Sequence, residues 1–222
     1  MNKISISSIS ISYSKPIIEN LSFSLESRDI LLIEGRNGIG KTSILKSIAG
    51  IIKPTRGTIT VNNKNIFEVS NQERKKLVSL AQQSASYFTP IKVIEFLETA
   101  ITSNSMIENW KRIKKFIEIL EIENILSKPI NTLSEGQKKL ALVCRTLIQG
   151  SIVTLLDEPE AFLDIHNQSL LIKAIEELVK EDKIVIIVSH NESFYSKICN
   201  KKLSILNKNT FQFYEKLELS KI

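Results

Sequence analysis

The sequence predicts an α/β domain built on a mostly parallel sheet. Three observations carry that expectation. The runs Ile30-Leu31-Leu32-Ile33, Ile152-Val153-Thr154-Leu155-Leu156 and Ile184-Val185-Ile186-Ile187-Val188 are apolar on both faces, as strands in a covered sheet must be. Helix-length stretches at 42–49, 136–148 and 167–180 follow or separate them, and alternation of strand and helix favours parallel pairing. The chain of 222 residues suits one such domain with a small insertion.

Each element has a local reason. Ile4-Ser5-Ile6 and Ile9-Ser10-Ile11 alternate as a half-buried strand does, and the phase slip at Ser7-Ser8 predicts a bulge. Residues 21–25 alternate in the same way, and Ser27-Arg28-Asp29 turns the chain into the strand 30–33. Residues 35–40 are a loop, 42–49 a helix, and Gly50 a helix-ending glycine. A turn at 53–57 leads into a strand at 58–61, and Asn62-Asn63 suits a hairpin. A short charged helix at 71–76 precedes a strand at 78–81. Pro90 is expected to open a helix with Ile91, Ile94, Phe96 and Leu97 on its apolar side. A second helix, 110–120, has an apolar stripe of Trp110, Ile113, Phe116, Ile117 and Leu120. Residues 83–130 therefore read as an inserted helical subdomain within a single domain, 1–222. Strands at 203–206 and 211–214, split by Asn207-Lys208-Asn209, close the chain as a hairpin.

Composition excludes several classes. The hydrophobic fraction is 42% and the charged fraction 24%, which argues against a disordered chain and against a disulfide scaffold. No apolar run approaches the ~18–20 residues that span a bilayer. The start alternates Ile with Ser and lacks the continuous apolar stretch of a secretion signal. The net charge is +6, but the lysines are scattered, so no nucleic-acid partner is expected. Cys144 and Cys199 are too few and too far apart for a metal cluster and read as reduced thiols.

Gly35-Arg36-Asn37-Gly38-Ile39-Gly40-Lys41-Thr42 matches G-x-x-x-x-G-K-[ST], between a buried strand and a helix. Glycines permit backbone angles that turn N–H groups inward, and the helix start adds positive potential. Lys41 supplies a point charge for β- and γ-phosphates, and the Thr42 hydroxyl is a hard oxygen ligand for Mg²⁺. Such a loop binds a nucleoside triphosphate.

Asp157 and Glu158 end an apolar strand, and strand geometry sends their side chains opposite ways. Asp157 suits the Mg²⁺ shell. Glu158 suits the attacking water, as general base or as its orienter. His190, after the strand 184–188, is placed to hydrogen-bond a γ-phosphate. His166 reads as a surface residue near a helix start.

Leu133-Ser134-Glu135-Gly136-Gln137 resembles the LSGGQ signature of ATP-binding cassette (ABC) proteins, with Glu135 replacing the first glycine. The resemblance runs over essentially the whole chain, in order. Tyr13 is similar to the family's adenine-stacking aromatic. Gln82 is similar to its Q-loop glutamine, with Gln83 as the other candidate. Leu163-Asp164 resembles the end of the D-loop, although Phe162 is bulky for its place, and His190 resembles the switch histidine. The resemblance implies the ABC ATPase fold: an α/β phosphate-loop NTPase sheet with an N-terminal antiparallel β-subdomain and an inserted helical subdomain. It implies ATP and Mg²⁺ as ligands. Glu158, His190 and Gln82 would be the catalytic residues. Tyr13, Gly35, Asn37, Gly38, Gly40, Lys41, Thr42 and Ser43 would hold nucleotide, with Ser134, Gly136, Gln137 and Asp164 completing the site. Thr42, Gln82 and Asp157 would face the metal. It also implies a head-to-tail pair of cassettes, a homodimer or a pairing with a homologue, with each ATP between the loop of one subunit and the signature of the other.

Three uses of ATP compete. The chain could serve separate transmembrane permease subunits from the cytoplasmic face of the cell membrane. It could be a soluble cassette of the iron–sulfur assembly kind. A DNA-repair or translation cassette would need long inserts or two cassettes in one chain. The first is favoured. The segment Leu32-Ile33-Glu34-Gly35, with Asn37, Gly38, 40–43 and Leu45, further resembles the haem exporter subunit of cytochrome c maturation.

Overall fold

The computed structural model describes residues 1–82, 90–101 and 105–215. In chain order its first elements are β1 (Lys3–Ser12), β2 (Pro16–Glu26), β3 (Ile30–Gly35) and α1 (Lys41–Ile48). Next come β4 (Arg56–Val61), β5 (Lys64–Asn65), α2 (Asn71–Leu77), β6 (Val78–Ala81), α3 (Val93–Glu98) and α4 (Met106–Leu120). The remainder is α5 (Glu135–Ile148), β7 (Val153–Asp157), α6 (Ile165–Lys180), β8 (Ile184–Val188), α7 (Glu192–Tyr195), β9 (Lys201–Asn207) and β10 (Thr210–Glu215).

Two sheets result. The antiparallel one has the order β2-β1-β4-β5. The other has the order β10-β9-β3-β8-β7-β6 and is parallel except at β10. The doubly apolar runs became its central strands. Period-two alternation divides them between two cores. Leu32, Leu156, Val185 and Ile187 face α4, α5 and α6, whereas Ile33, Leu155, Ile186 and Val188 face α1 and the antiparallel sheet. Register sets the functional edge. Ile33 lies opposite Val188, and Val188 opposite Asp157, so β3, β8 and β7 end together. Ligands of such sheets bind outside those carboxyl ends.

The turns follow their residues. The β1 pairings shift between Ile6 and Ile9, where Ser8 has φ 49°. Gly57, at φ +80°, packs against that bulge so closely that a Cβ would lie 2.3 Å from the Ser7 carbonyl oxygen. Asn62 and Asn63 are both left-handed, the geometry of a tight hairpin turn. Gly50 ends α1 with paired bonds, its own N–H to Ser47 O (3.0 Å) and that of Ile51 to Lys46 O (2.9 Å).

Two expectations are corrected. Pro90 does not open a helix: α3 begins at Val93. Ile91 and Lys92 instead pair with the chain ahead of α5, through Ile130 N–H to Ile91 O (2.9 Å) and a bridge between Lys92 and Pro129. The Glu95 carboxylate then accepts the Lys92 N–H (3.0 Å) and starts the helix. Trp110 is not in the core. Helix α4 begins earlier, capped by Ser105, and buries Ile113, Phe116, Ile117 and Leu120 while Trp110 stays half-exposed. Helices α3 and α4 share one core with α5 and α6. The expected boundary of the insertion at 83 lies outside the described residues. Cys144 and Cys199 are buried free thiols, and burial pushes Cys199 up to about 12.

Candidate functional site

The loop 36–40 leaves β3 and enters α1 through Gly40, at φ +112°. Only glycine fits there, since a Cβ would also lie 2.6 Å from Ile17 Cγ2. No side chain caps α1, and its first turn carries no acid, so the positive end of the helix is uncompensated by protein. Lys41 is buried, and its ammonium donates to Gly35 O (2.8 Å) and Arg36 O (3.1 Å). Burial draws its pKa below the ordinary value, against the pull of Glu158 and Asp157. A cation is thus held under the loop at a desolvation cost that an incoming anion relieves.

Asp157 closes β7 and is almost wholly buried. Its Oδ2 accepts from the Thr42 hydroxyl at 2.9 Å, joining the loop helix to the acidic strand end. Burial raises the Asp157 pKa, and Glu158 adds to that; the Thr42 bond and the Lys139 and Lys41 charges oppose it. Glu158 has φ 45°, a strained angle for a non-glycine residue, and its N–H donates to Val188 O (2.8 Å). That turn brings its carboxylate within 3.5 Å of His190 Nε2. Lys41, Thr42, Ser43, Asn37, Gly38 and Gly40 line a cavity of about 460 Å³ with Glu158, His190 and Ile17. The cavity has the size of a small-molecule site, about 300–1,000 Å³. Hard oxygens at Thr42 and Asp157, held 2.9 Å apart, form a donor pair fit for a magnesium ion that takes its other ligands from phosphate and water.

The other expected residues lie around this cavity or apart from it. Gly35 contributes a carbonyl to Lys41 and does not line the cavity. Tyr13 is exposed at the end of β1, its hydroxyl 3.5 Å from that of Ser43. Gln82 is exposed just after β6, and its carbonyl accepts from the Lys139 ammonium at 3.3 Å. Gln83 lies outside the described residues. Ser134 caps α5: its hydroxyl accepts the Gln137 N–H (3.3 Å), and the Gln137 side chain accepts the Ser134 N–H (3.2 Å). Glu135 is paired with Lys138 at 2.8 Å on the same helix. A Cβ on Gly136 would lie 2.7 Å from Phe162 O, so the glycine lets α5 begin against the loop after β7. Asp164 caps α6 through the Asn167 N–H (2.8 Å). Ser134, Gly136, Gln137 and Asp164 do not line the cavity. His166 pairs with Glu121 at 2.9 Å on the surface.

Sequence reasoning missed three contributors. Ile17, on β2, lines the cavity. Lys139 is buried below it, and its ammonium donates to Asp157 O at 2.9 Å. Glu160, two residues after Glu158, accepts from Ser189 and Tyr195. An acid two residues past Glu158 was the only signal for the last, and no periodicity marks it.

Comparison with known proteins agrees with this geometry. Residues 18–161 match the family model described as ABC transporter. A Helicobacter pylori protein named "Probable iron chelatin transport ATP-binding protein" is 31% identical over 194 residues, covering 84% of this chain and 76% of its own. A solved ATP-binding subunit of an ABC transporter superposes with TM-score 0.89 at 18% identity, over 96% of this chain and 89% of the other. A dimeric ATP-binding cassette in a post-hydrolysis state, bound to ADP and Pi, superposes with TM-score 0.85 at 18% identity, over 96% and 98%.

Proposed function

The chain belongs to the ABC transporter family as an ATP-binding, ATP-hydrolysing subunit, and from that premise we propose how its site works and what it serves. Lys41 and the start of α1 bind the β- and γ-phosphates. Asn37, Gly38 and Ser43 border them, and Tyr13 covers the adenine. Glu158 takes the proton of the attacking water or orients that water. His190, 3.5 Å from Glu158, hydrogen-bonds the γ-phosphate and reports its loss. Thr42 and Asp157, with Gln82, would hold a magnesium ion, which would supply positive charge against the charge developing on the phosphate oxygens.

The observation that carries the two-copy reading is an incomplete site. Ser134, Gly136 and Gln137 stand at the capped start of α5 and outside the cavity, although the family signature includes them. A second cassette supplies that helix start to the nucleotide of the first. The dimeric post-hydrolysis cassette of the same fold supports this arrangement. Hydrolysis lets the two cassettes separate, and α3 and α4 carry that motion to a partner through the loop of Gln82.

The work is membrane transport through separate permease subunits, with this chain peripheral to the cytoplasmic face. Among the described residues no helix is long and apolar enough to cross a membrane. The name of the Helicobacter pylori relative supports an iron-chelate cargo. That cargo is favoured over haem export. Glu34, part of the segment resembling the haem exporter subunit, is bonded by Ser204 (2.6 Å) and Lys202 (2.9 Å) and serves as an ordinary strand-end anchor. Purification from a detergent extract tests the reading. Recovery of a polytopic membrane protein with the chain is expected, and its absence would favour a soluble cassette of the iron–sulfur assembly kind.

A further inference from the structure

We infer that Glu160 is a positioning residue that sets the loop carrying His190 against Glu158. The loop after β8 has no regular structure of its own to fix His190, whose imidazole is 44% exposed. Its neighbours are fixed instead. The buried Ser189 hydroxyl donates to one oxygen of Glu160, and the same hydroxyl accepts the N–H of Asn191 at 2.9 Å. One side chain therefore pins the backbone on both sides of His190. The other Glu160 oxygen accepts from the Tyr195 hydroxyl at 2.8 Å. Tyr195 is wholly buried and anchors the carboxylate to the core. Burial and the Glu160 charge push the Tyr195 phenol well above its ordinary value, which keeps it a donor.

Glu160 belongs to the same rigid turn as Glu158. Ala161 N–H donates to Glu158 O (3.2 Å), and Leu163 N–H to Glu160 O (3.1 Å). A shift of Glu158 is thus transmitted to His190 through two side-chain bonds and one backbone bond, Glu158 N–H to Val188 O. A carboxylate suits the place because two hydroxyl donors converge on it, and it offers acceptors only. Its removal would leave Ser189 and Tyr195 without their acceptor.

The inference rests on Glu158 and His190 acting together in ATP hydrolysis, so the test carries Glu158→Gln beside the positioning variants. Steady-state kcat and KM for MgATP, ATP affinity and the unfolding midpoint are measured for Glu160→Ala, Glu160→Gln, Ser189→Ala and the double variant. Misplacement of a catalytic group predicts a kcat about 10- to 100-fold lower in Glu160→Ala, with KM and ATP affinity within about twofold. Glu160→Gln, which keeps an acceptor for one hydroxyl but turns an N–H donor toward the other, recovers only part of the rate. The double variant loses less than the two single losses combined, because both changes break the Ser189–Glu160 bond. Should Glu160→Ala fold poorly, Ser189→Ala still shows the fall in kcat at constant KM. Wild-type kcat in Glu160→Ala or Ser189→Ala would overturn the inference, as would additive losses in the double variant. If Glu158→Gln abolishes turnover while Glu160→Ala keeps the wild-type kcat, the positioning role alone fails. If Glu158→Gln leaves turnover intact, the catalytic pairing fails and takes this inference with it.

Discussion

Lys41→Met separates a binding residue from a structural one, because its two effects have different signs. The ammonium is buried, and burial lowers its pKa even though Asp157 and Glu158 pull the other way. The folded environment therefore disfavours the charge. Methionine keeps most of the side-chain volume and removes that cost, while two loop carbonyls lose a donor. Loss of a charge that burial disfavours offsets the loss of those two bonds. Unfolding of the variant is expected at the wild-type temperature or slightly above. Nucleotide binding moves the other way. A hydrogen bond to a charged group contributes about 1.5–3 kcal/mol, so ATP affinity falls by a factor of about 10 to 160. Titration calorimetry and thermal unfolding on the same preparations measure both. Affinity within threefold of wild type would refute the role of Lys41. A large drop in unfolding temperature with little change in affinity would make it structural.

Ser134→Arg leaves ATP binding by the single chain intact and blocks association of two chains, because the bulky cation sits at the capped start of α5; an ATP-induced dimer of the variant on a sizing column would contradict this. Gly57→Ala forces a Cβ to 2.3 Å from Ser7 O at φ +80°, and destabilisation of at least about 2 kcal/mol is expected in denaturant titration, unfolding or relocating the bulge. Lys139 provides a pH test. Burial lowers its pKa from 10.5 to about 8 in the folded chain. Between those values the unfolded chain binds the extra proton, so the residue's contribution to stability rises with pH across that window and is lost as pH falls through about 8. At about 1.4 kcal/mol per pH unit the full span is worth up to about 3 kcal/mol. Wild type should gain on Lys139→Met from pH 7 to 10 in unfolding free energy, and parallel profiles would exclude the effect.

Local chemistry made much of this protein legible before any coordinates. Gly40, Lys41 and Thr42 have fixed spacing because the loop must turn, hold a cation and open a helix within a few residues, and they line one cavity with Glu158 and His190. The strands at 30–33, 153–156 and 184–188 were legible because burial on both faces leaves them apolar but for Thr154. Other features depend on distant partners. Pro90 looked like a helix start, but the backbone of 128–130 takes Ile91 and Lys92 first. Trp110 fits the apolar stripe by period, yet the buried residues of α4 are Ile113, Phe116, Ile117 and Leu120, in its last turns. Nothing local singles out Lys139 or Glu160, and their partners Gln82, Asp157, Ser189 and Tyr195 come together only when β6, β7 and β8 pair.

The central claim is that ATP is held between two copies of this fold, each completing the other's site. Glu158→Gln tests it most directly, since binding groups stay while turnover stops. Light scattering on the purified variant should show a single-chain species without nucleotide and a doubled mass with ATP and Mg²⁺, persisting for hours. A mass that remains that of one chain at saturating ATP would contradict the account.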